Sequence, residues 1–267
     1  MRFCSLGSGS EGNALLVEAG VGSHGGSRPG GSAKPYRVLV DCGFRLKEIE
    51  ARLSVVALTG RDIDAILVTH EHGDHIGGVY RLAQAYSIPV YLTHGTHRNG
   101  PVSGRTHVHF LDPFQAIDLP GLRIEPIAVP HDAAEPVQYL LDDGVSSLGV
   151  LTDLGHWTEY IADKLSRAES LILETNHDLA LLANNPRYPE MLKRRISGPY
   201  GHLSNGQASD ILRALSGGAL KRVIGAHLSK ANNRPEIAMQ ALQAGAEGQA
   251  LEIFLADQAN GFDWIAA

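Results

Sequence analysis

Short apolar runs recur along the chain between polar or glycine-containing breaks, and their period switches between two residues and about 3.6. Strand-like runs fall at Phe3 to Leu6, Ala14 to Glu18, Arg37 to Asp41, Ile63 to Thr69, Val90 to Thr93, Leu122 to Ala128, Gln138 to Asp142, Ser147 to Thr152, Leu171 to Glu174, Arg222 to Ala226 and Leu251 to Ala256. Helical periodicity predicts helices over Arg45 to Leu53, Val79 to Tyr86, Thr158 to Ser166, Tyr188 to Arg195, Gln207 to Leu215 and Pro235 to Ala244, the last opened by a proline where a helix tolerates one. This interleaving predicts an α/β sandwich. Several strand-like runs end in residues that can hold a metal or carry oxygen: Thr69-His70, Val129-Pro130-His131-Asp132, Thr152-Asp153, Glu174-Thr175-Asn176-His177 and Ala226-His227-Leu228-Ser229. Strand ends on one sheet edge can bring residues distant in sequence into one site.

The densest chemistry lies at His70-Glu71-His72-Gly73-Asp74-His75, directly after the apolar run Ile63 to Val68. Imidazoles and a carboxylate suit zinc, manganese or iron, and such short spacing can surround neighbouring ions only if the backbone turns sharply, where Gly73 stands. Adding the later strand ends gives a two-metal assignment. His70 and His72 hold one ion with His131, Asp74, His75 and His227 hold the second, and Asp153 bridges. Two such ions, zinc or manganese, lower the pKa of a shared water and neutralise charge on an attacked phosphoryl or carbonyl group.

Composition narrows the setting. A chain of 267 residues, 43% hydrophobic, can bury one large core, and no linker or repeat divides it, so a single domain over 1–267 is expected. The stretch 20–35, rich in glycine and serine, reads as a long hairpin loop. No signal-peptide pattern or membrane span is visible, and the two cysteines, Cys4 and Cys42, read as small buried hydrophobes, so a cytoplasmic location is expected. A net charge of −6 disfavours indiscriminate polyanion binding, although bound divalent ions would reverse the sign locally.

His70-x-His72-x-Asp74-His75 followed by single ligands at His131, Asp153 and His227 resembles the metallo-β-lactamase superfamily. The resemblance implies an αββα sandwich, two mixed β-sheets flanked by helices, with the metal site at one sheet edge. Further segments, among them Leu6-Gly7-Ser8-Gly9-Ser10-Glu11-Gly12-Asn13, Thr152-Asp153-Leu154-Gly155-His156, Glu174-Thr175-Asn176-His177-Asp178, Gly201-His202-Leu203-Ser204-Asn205 and His227-Leu228-Ser229-Lys230-Ala231-Asn232-Asn233, are similar to the WalJ/YycJ group of bacterial proteins. That likeness spans nearly the whole chain and implies a metal-dependent DNA exonuclease acting from 5′ ends and linked to repair, with DNA as the partner; no obligate protein partner is evident in the sequence. His202 matches in placement a histidine of tRNA 3′-processing nucleases that protonates the leaving oxygen, so it is the candidate general acid, oriented by Glu174 or Asp178.

Asp74 and Asp153 join His202 in the catalytic set, and Ser8, Ser10, Asn13, His177, Ser229 and Asn232 are candidates for phosphate contact. Arg187, Lys193, Arg194 and Arg195 sit beside the His202 motif, and Lys230 and Arg234 follow His227, as a solvated face or a phosphate track would require. His24, His94, His97, His107 and His109 lack a partner motif and read as surface or supporting residues. The same metal set would also serve hydrolysis of a small ester, thioester, lactam or cyclic phosphodiester. A non-catalytic metal-binding regulator fits less well, because every proposed ligand is present.

Overall fold

The computed structural model describes residues 1–19 and 34–267. Most of the glycine-rich stretch expected to form a hairpin loop therefore lies outside the described residues. Strands β1 (Arg2–Gly7), β2 (Ala14–Glu18), β3 (Arg37–Val40), β4 (Ala65–Leu67), β5 (Val90–Thr93) and β6 (Val108–Leu111) build a first sheet. Strands β7 (Ile117–Leu119), β8 (Leu122–Ala128), β9 (Val137–Asp142), β10 (Ser147–Leu151), β11 (Ser170–Glu174), β12 (Arg222–Ala226) and β13 (Glu252–Leu255) build a second, and β14 (Phe262–Ala266) returns to the first. Both sheets are seven-stranded, in the orders β14-β1-β2-β3-β4-β5-β6 and β7-β8-β9-β10-β11-β12-β13. Each begins with antiparallel pairs and continues as parallel ones, from β3 and β4 in the first sheet and from β10 and β11 in the second.

Parallel strands need crossovers, and the helices that provide them cover the outer faces. α1 (Leu46–Val55), the short α2 (Gly73–Ile76), α3 (Val79–Tyr86) and α4 (His94–Asn99) belong to the first half. α5 (Glu159–Leu165), α6 (Leu179–Ala183), α7 (Glu190–Ile196), α8 (Asn205–Ala214) and α9 (Pro235–Gly245) belong to the second. Central strands are thus buried on both faces, and alternate residues enter different cores. In β2, Leu15 and Val17 join the core between the sheets, whereas Leu16 packs outward with Ile49 and Leu53 of α1 and Leu82 of α3. In β11, Ile172 points inward while Leu171 and Leu173 meet Ile161, Leu212 and Leu242 of α5, α8 and α9. At roughly 1.5–3 kcal/mol for each fully buried large apolar side chain, these layers fix strand register, since a one-residue slip would exchange inward and outward sets.

Tyr139, fully buried in β9, donates its hydroxyl to Val68 O at 2.6 Å, and Val137 N–H donates to Thr69 O at 3.0 Å. The two sheets are thereby tied together directly behind the histidine-rich turn. The expected strands are present with ends shifted by a residue or two, but β6, β7 and β14 escaped the sequence pattern. β6 is an edge strand whose His109 and Phe110 are exposed, β7 has three residues, and β14 is only partly buried along its length. Helices α2, α4 and α6 were missed for a related reason. They run four to six residues, too short for a periodic stripe. Caps stabilise two of them: Thr93 Oγ accepts from Thr96 N–H in α4, and the Asp178 carboxylate accepts from Leu181 N–H in α6.

Candidate metal centre

The chain ends of β1, β3, β4, β8, β10, β11 and β12 all contribute to one edge of the sandwich. His70 and His72 follow β4, and Asp74 and His75 ride on the single turn α2. That turn is clamped by two loops. Asn13 N–H donates to Asp74 O at 2.8 Å and Cys42 N–H to His75 O at 2.7 Å, and a Cβ at Gly43 would collide with the Asp74 carbonyl. His131, Asp153, Glu174 and His227 arrive separately after or at the ends of β8, β10, β11 and β12.

Two triangles of ligand atoms result. His72 Nδ1 lies 3.0 Å from His70 Nε2 and 3.2 Å from His131 Nε2. Asp74 Oδ2 lies 3.6 Å from His75 Nε2 and 3.4 Å from His227 Nε2. Asp153 stands between them: its carboxylate groups with His70 and His75, with Oδ2 3.0 Å from His75 Nε2. Asp153 Oδ2 is buried without a hydrogen-bond partner, beside imidazole nitrogens that also converge inward. A buried carboxylate oxygen in such a donor set fits a divalent cation, because either a bound cation or protons on the converging imidazoles must compensate its burial. The structure thus brings together all seven expected ligands, His70, His72, Asp74, His75, His131, Asp153 and His227.

The imidazole orientations have identifiable causes. Asp41, at the end of β3, accepts from His75 Nδ1–H at 2.8 Å and from Thr69 Oγ–H at 2.8 Å, while His70 Nδ1–H donates to the Thr69 hydroxyl at 2.9 Å. His131 Nδ1–H donates to Gly201 O at 3.0 Å, and His227 Nδ1 faces Glu174 Oε1 at 3.2 Å. Each of these contacts engages Nδ1 and leaves Nε2 for the centre, a common way of presenting histidine to a metal. Asp41, Asp153 and His227 hold left-handed backbone at φ 61°, 54° and 55°. Such conformations cost about 1–3 kcal/mol each in residues other than glycine, and they persist here where the strand ends must turn their side chains into one point.

Charge states follow the surroundings. Burial holds His70 well below the ordinary imidazole value and lowers His131. Burial also opposes protonation of His75 and His227, but Asp153, with Asp74 and other nearby carboxylates, outweighs it, raising His75 well above the ordinary value and His227 to about 10. Glu174 is fully buried, a condition that disfavours its charge, yet His202 and His227 hold it down to about 2.

Glu174 also fixes His202. Its Oε1 accepts from His202 Nδ1–H at 2.7 Å, and its Oε2 accepts from Leu154 and Leu203 N–H. Asp178 instead caps α6, so of the two orienting carboxylates considered, Glu174 is the one in contact. The capping box of Ser204 and Gln207 starts α8 two residues after His202 and anchors its segment.

A cavity of about 360 Å³ opens above the centre, with Asp74, Asp153, His202 and His227 in its lining, and Ser10 and Ser229 also reach it. The remaining candidates for phosphate contact are engaged elsewhere. Ser8 Oγ accepts from His227 N–H at 2.9 Å, and Asn13 Oδ1 accepts from Gly9 N–H while its Nδ2 lies 3.0 Å from His75 Nε2. His177 and Asn232 depart from expectation: both are buried and neither lines the cavity. Asn232 accepts from Asn185 Nδ2 at 2.6 Å, within a buried asparagine network that holds the His227 loop. Neither ring nitrogen of His177 has a hydrogen-bond partner, and burial lowers its pKa to about 4, so it is a neutral packed ring. Of the basic group, Arg195 reaches the cavity, paired through Nε with Asp132 at 2.5 Å, whereas Lys193 Nζ donates to Ala183 O. The sequence pattern marks no role for Asp41, and none for Asp132 beyond its place in the His131 strand-end segment. Asp41 closes a strand-like run just as the recognised ligands do, and Asp132 directly follows His131.

A family model described as a β-lactamase superfamily domain matches residues 36–228. The chain belongs to the metallo-β-lactamase superfamily. Within it, membership of the WalJ/YycJ group follows from 33% identity over 265 residues to a protein named exodeoxyribonuclease YycJ from Bacillus anthracis, covering 95% of this chain and 94% of that one. A protein named exodeoxyribonuclease WalJ from Streptococcus pneumoniae is 32% identical over 89% of this chain and 85% of its own. The superfamily fold is also that of zinc-bound PqqB from Methylobacterium extorquens, which superposes with a TM-score of 0.72 over 100% of both chains at 14% identity. Metallo-β-lactamase architecture with this donor set supports the use of a divalent metal. No helix among the described residues is long and apolar enough to cross a membrane.

Proposed function

We propose that the protein is a dinuclear phosphodiesterase that removes nucleotides from DNA ends, from the 5′ end as its resemblance to the WalJ/YycJ group implies, in DNA repair. The observation that carries the reading is the pair of ligand triangles sharing Asp153 beneath an open cavity, with His202 at their side. His70, His72 and His131 would hold one ion, and Asp74, His75 and His227 the other, with Asp153 between. Bound zinc or manganese would neutralise charge on the phosphoryl oxygens and make water nucleophilic near neutral pH.

The protein's own groups have distinct tasks in this proposal. His202 protonates the departing sugar oxygen, and Glu174 keeps its Nδ1 occupied so that Nε2 serves the cavity. Its pKa is raised: burial opposes the proton, but Glu174 and Asp153 outweigh burial, so the acid form is available at neutral pH. Asp41 and Thr69 hold His70 and His75 in register, and Arg195 offers a cation to a phosphate at the cavity mouth. Ser10 and Ser229 are the phosphate-binding hydroxyls at the rim. The relatives named exodeoxyribonucleases support DNA over other phosphodiesters.

The test uses linear DNA labelled at either end and a covalently closed circle, incubated with zinc-loaded or manganese-loaded protein and with an Asp74→Ala control. Loss of label from one end with the circle intact, absent from the control, is expected. Intact DNA with both metals would overturn the reading in favour of a small ester, thioester, lactam or cyclic phosphodiester substrate.

A further inference from the structure

The metal centre forms only one wall of the cavity. Tyr188, Leu192 and Ile196, contributed by α7 and the turn before it, line the same cavity as its carboxylates and imidazoles. All three are half-buried, and α7 has no fully buried residue. The helix therefore does not serve as a core element. It is held at the rim by Arg195 on Asp132 and by Lys193 on Ala183 O, with the following turn fastened by His202 N–H donating to Ile196 O at 2.8 Å. Arg195 on the same helix suits phosphate, but the apolar and aromatic side chains beside it are poorly matched to phosphate or sugar, both of which seek hydrogen bonds. A planar base presents the complementary surface.

The dimensions agree. About 360 Å³ lies near the lower limit of pockets that take one small ligand, roughly 300–1,000 Å³, the scale of a single nucleotide. Gly73, on the floor, has open space where a Cβ would project, so the cavity continues to the backbone of the ligand turn.

We propose that the wall formed by Tyr188, Leu192 and Ile196 is a base-binding subsite that receives the terminal nucleotide singly, unpaired from its complement, while its phosphodiester lies over the metal centre. This rests on the DNA reading above and adds the substrate form: the terminal base is drawn out of the duplex and contributes to binding without being read for identity. Because stacking accepts any base face, cleavage proceeds through all four bases with little preference.

The experiment compares kcat/KM for metal-loaded protein on end-labelled DNA whose terminal nucleotide is either normal or an abasic tetrahydrofuran analogue, with Tyr188→Ala and Leu192→Ala as variants. Wild type is expected to lose about ten-fold on the abasic end, and this ratio should fall toward one in both variants. A terminal mismatch should be cut faster than a matched end, since unpairing is already done. Equal rates on normal and abasic ends in wild type would overturn the subsite and leave the exonuclease reading intact, without reliance on any variant's folding. Failure of wild type to cut any DNA end would overturn both.

Discussion

The two ligand triangles contain the same kind of side chain in opposite charge states. His70 and His131 are kept neutral by burial, whereas His75 and His227 are held as cations by Asp153, Asp74, Asp41 and Glu174. Burial disfavours the charged imidazole in all four, so the number of facing carboxylates decides the sign. His70 and His131 therefore present lone pairs in advance, whereas His75 and His227 hold protons in the place a cation would take. Ions bound at the proposed sites should load differently, one with little change in protonation and the other by exchange with protons.

Removing the carboxylate that belongs to the second triangle should disrupt the contrast most. Asp74→Ala is expected to lower phosphodiester turnover on the order of 10³-fold and to reduce bound metal from two ions to one, as read by elemental analysis of dialysed protein. Two ions retained at full occupancy would mean that Asp74 is not needed to hold the second. His202 belongs to neither triangle. His202→Gln should slow kcat about 10²- to 10⁴-fold with metal content unchanged, and unaltered turnover would exclude it as the acid.

Asp41 touches both triangles, through His75 directly and through Thr69 to His70. Asp41→Asn should weaken metal affinity about 10- to 100-fold and reduce the protons released on loading, because His75 loses one of the charges that protonate it. Metal titration in buffers of different ionisation enthalpy measures both quantities.

The smallest effect is a pH dependence of metal-free stability. His227 has a folded value of about 10 against its ordinary 6.5, so its proton stabilises the fold fully below pH 6.5. That contribution is lost as pH rises through about 10. The melting temperature of metal-free protein should fall over this window, while metal-loaded protein, its imidazoles already neutral, should change less. A metal-free profile parallel to the loaded one would remove the charge difference from the comparison.

The legibility of the site followed the same division. His70, His72, Asp74 and His75 are adjacent in sequence because one strand end and one helical turn deliver them all, so spacing alone revealed them. His131, Asp153 and His227 were legible because each closes a recognisable strand-like run. Asp41 satisfies that rule too, yet its contacts with Thr69 and His75 bridge separate strand ends, and no local pattern marked it. His177 and Asn232 show the reverse failure. Both follow strand ends, but the loops fold their side chains inward, where asparagine contacts or plain packing take them.

Sequence by itself determined the longer strands and helices and their alternation, the position of chemistry at strand ends, the donor types and the family, since these depend on period and spacing along one chain. Tertiary structure decided which imidazole nitrogen faces the centre, which carboxylate sets its charge, and which residues close the cavity. Those outcomes depend on contacts between segments far apart in sequence, such as Glu174 with His202 and Arg195 with Asp132, and such contacts exist only once the two sheets have packed.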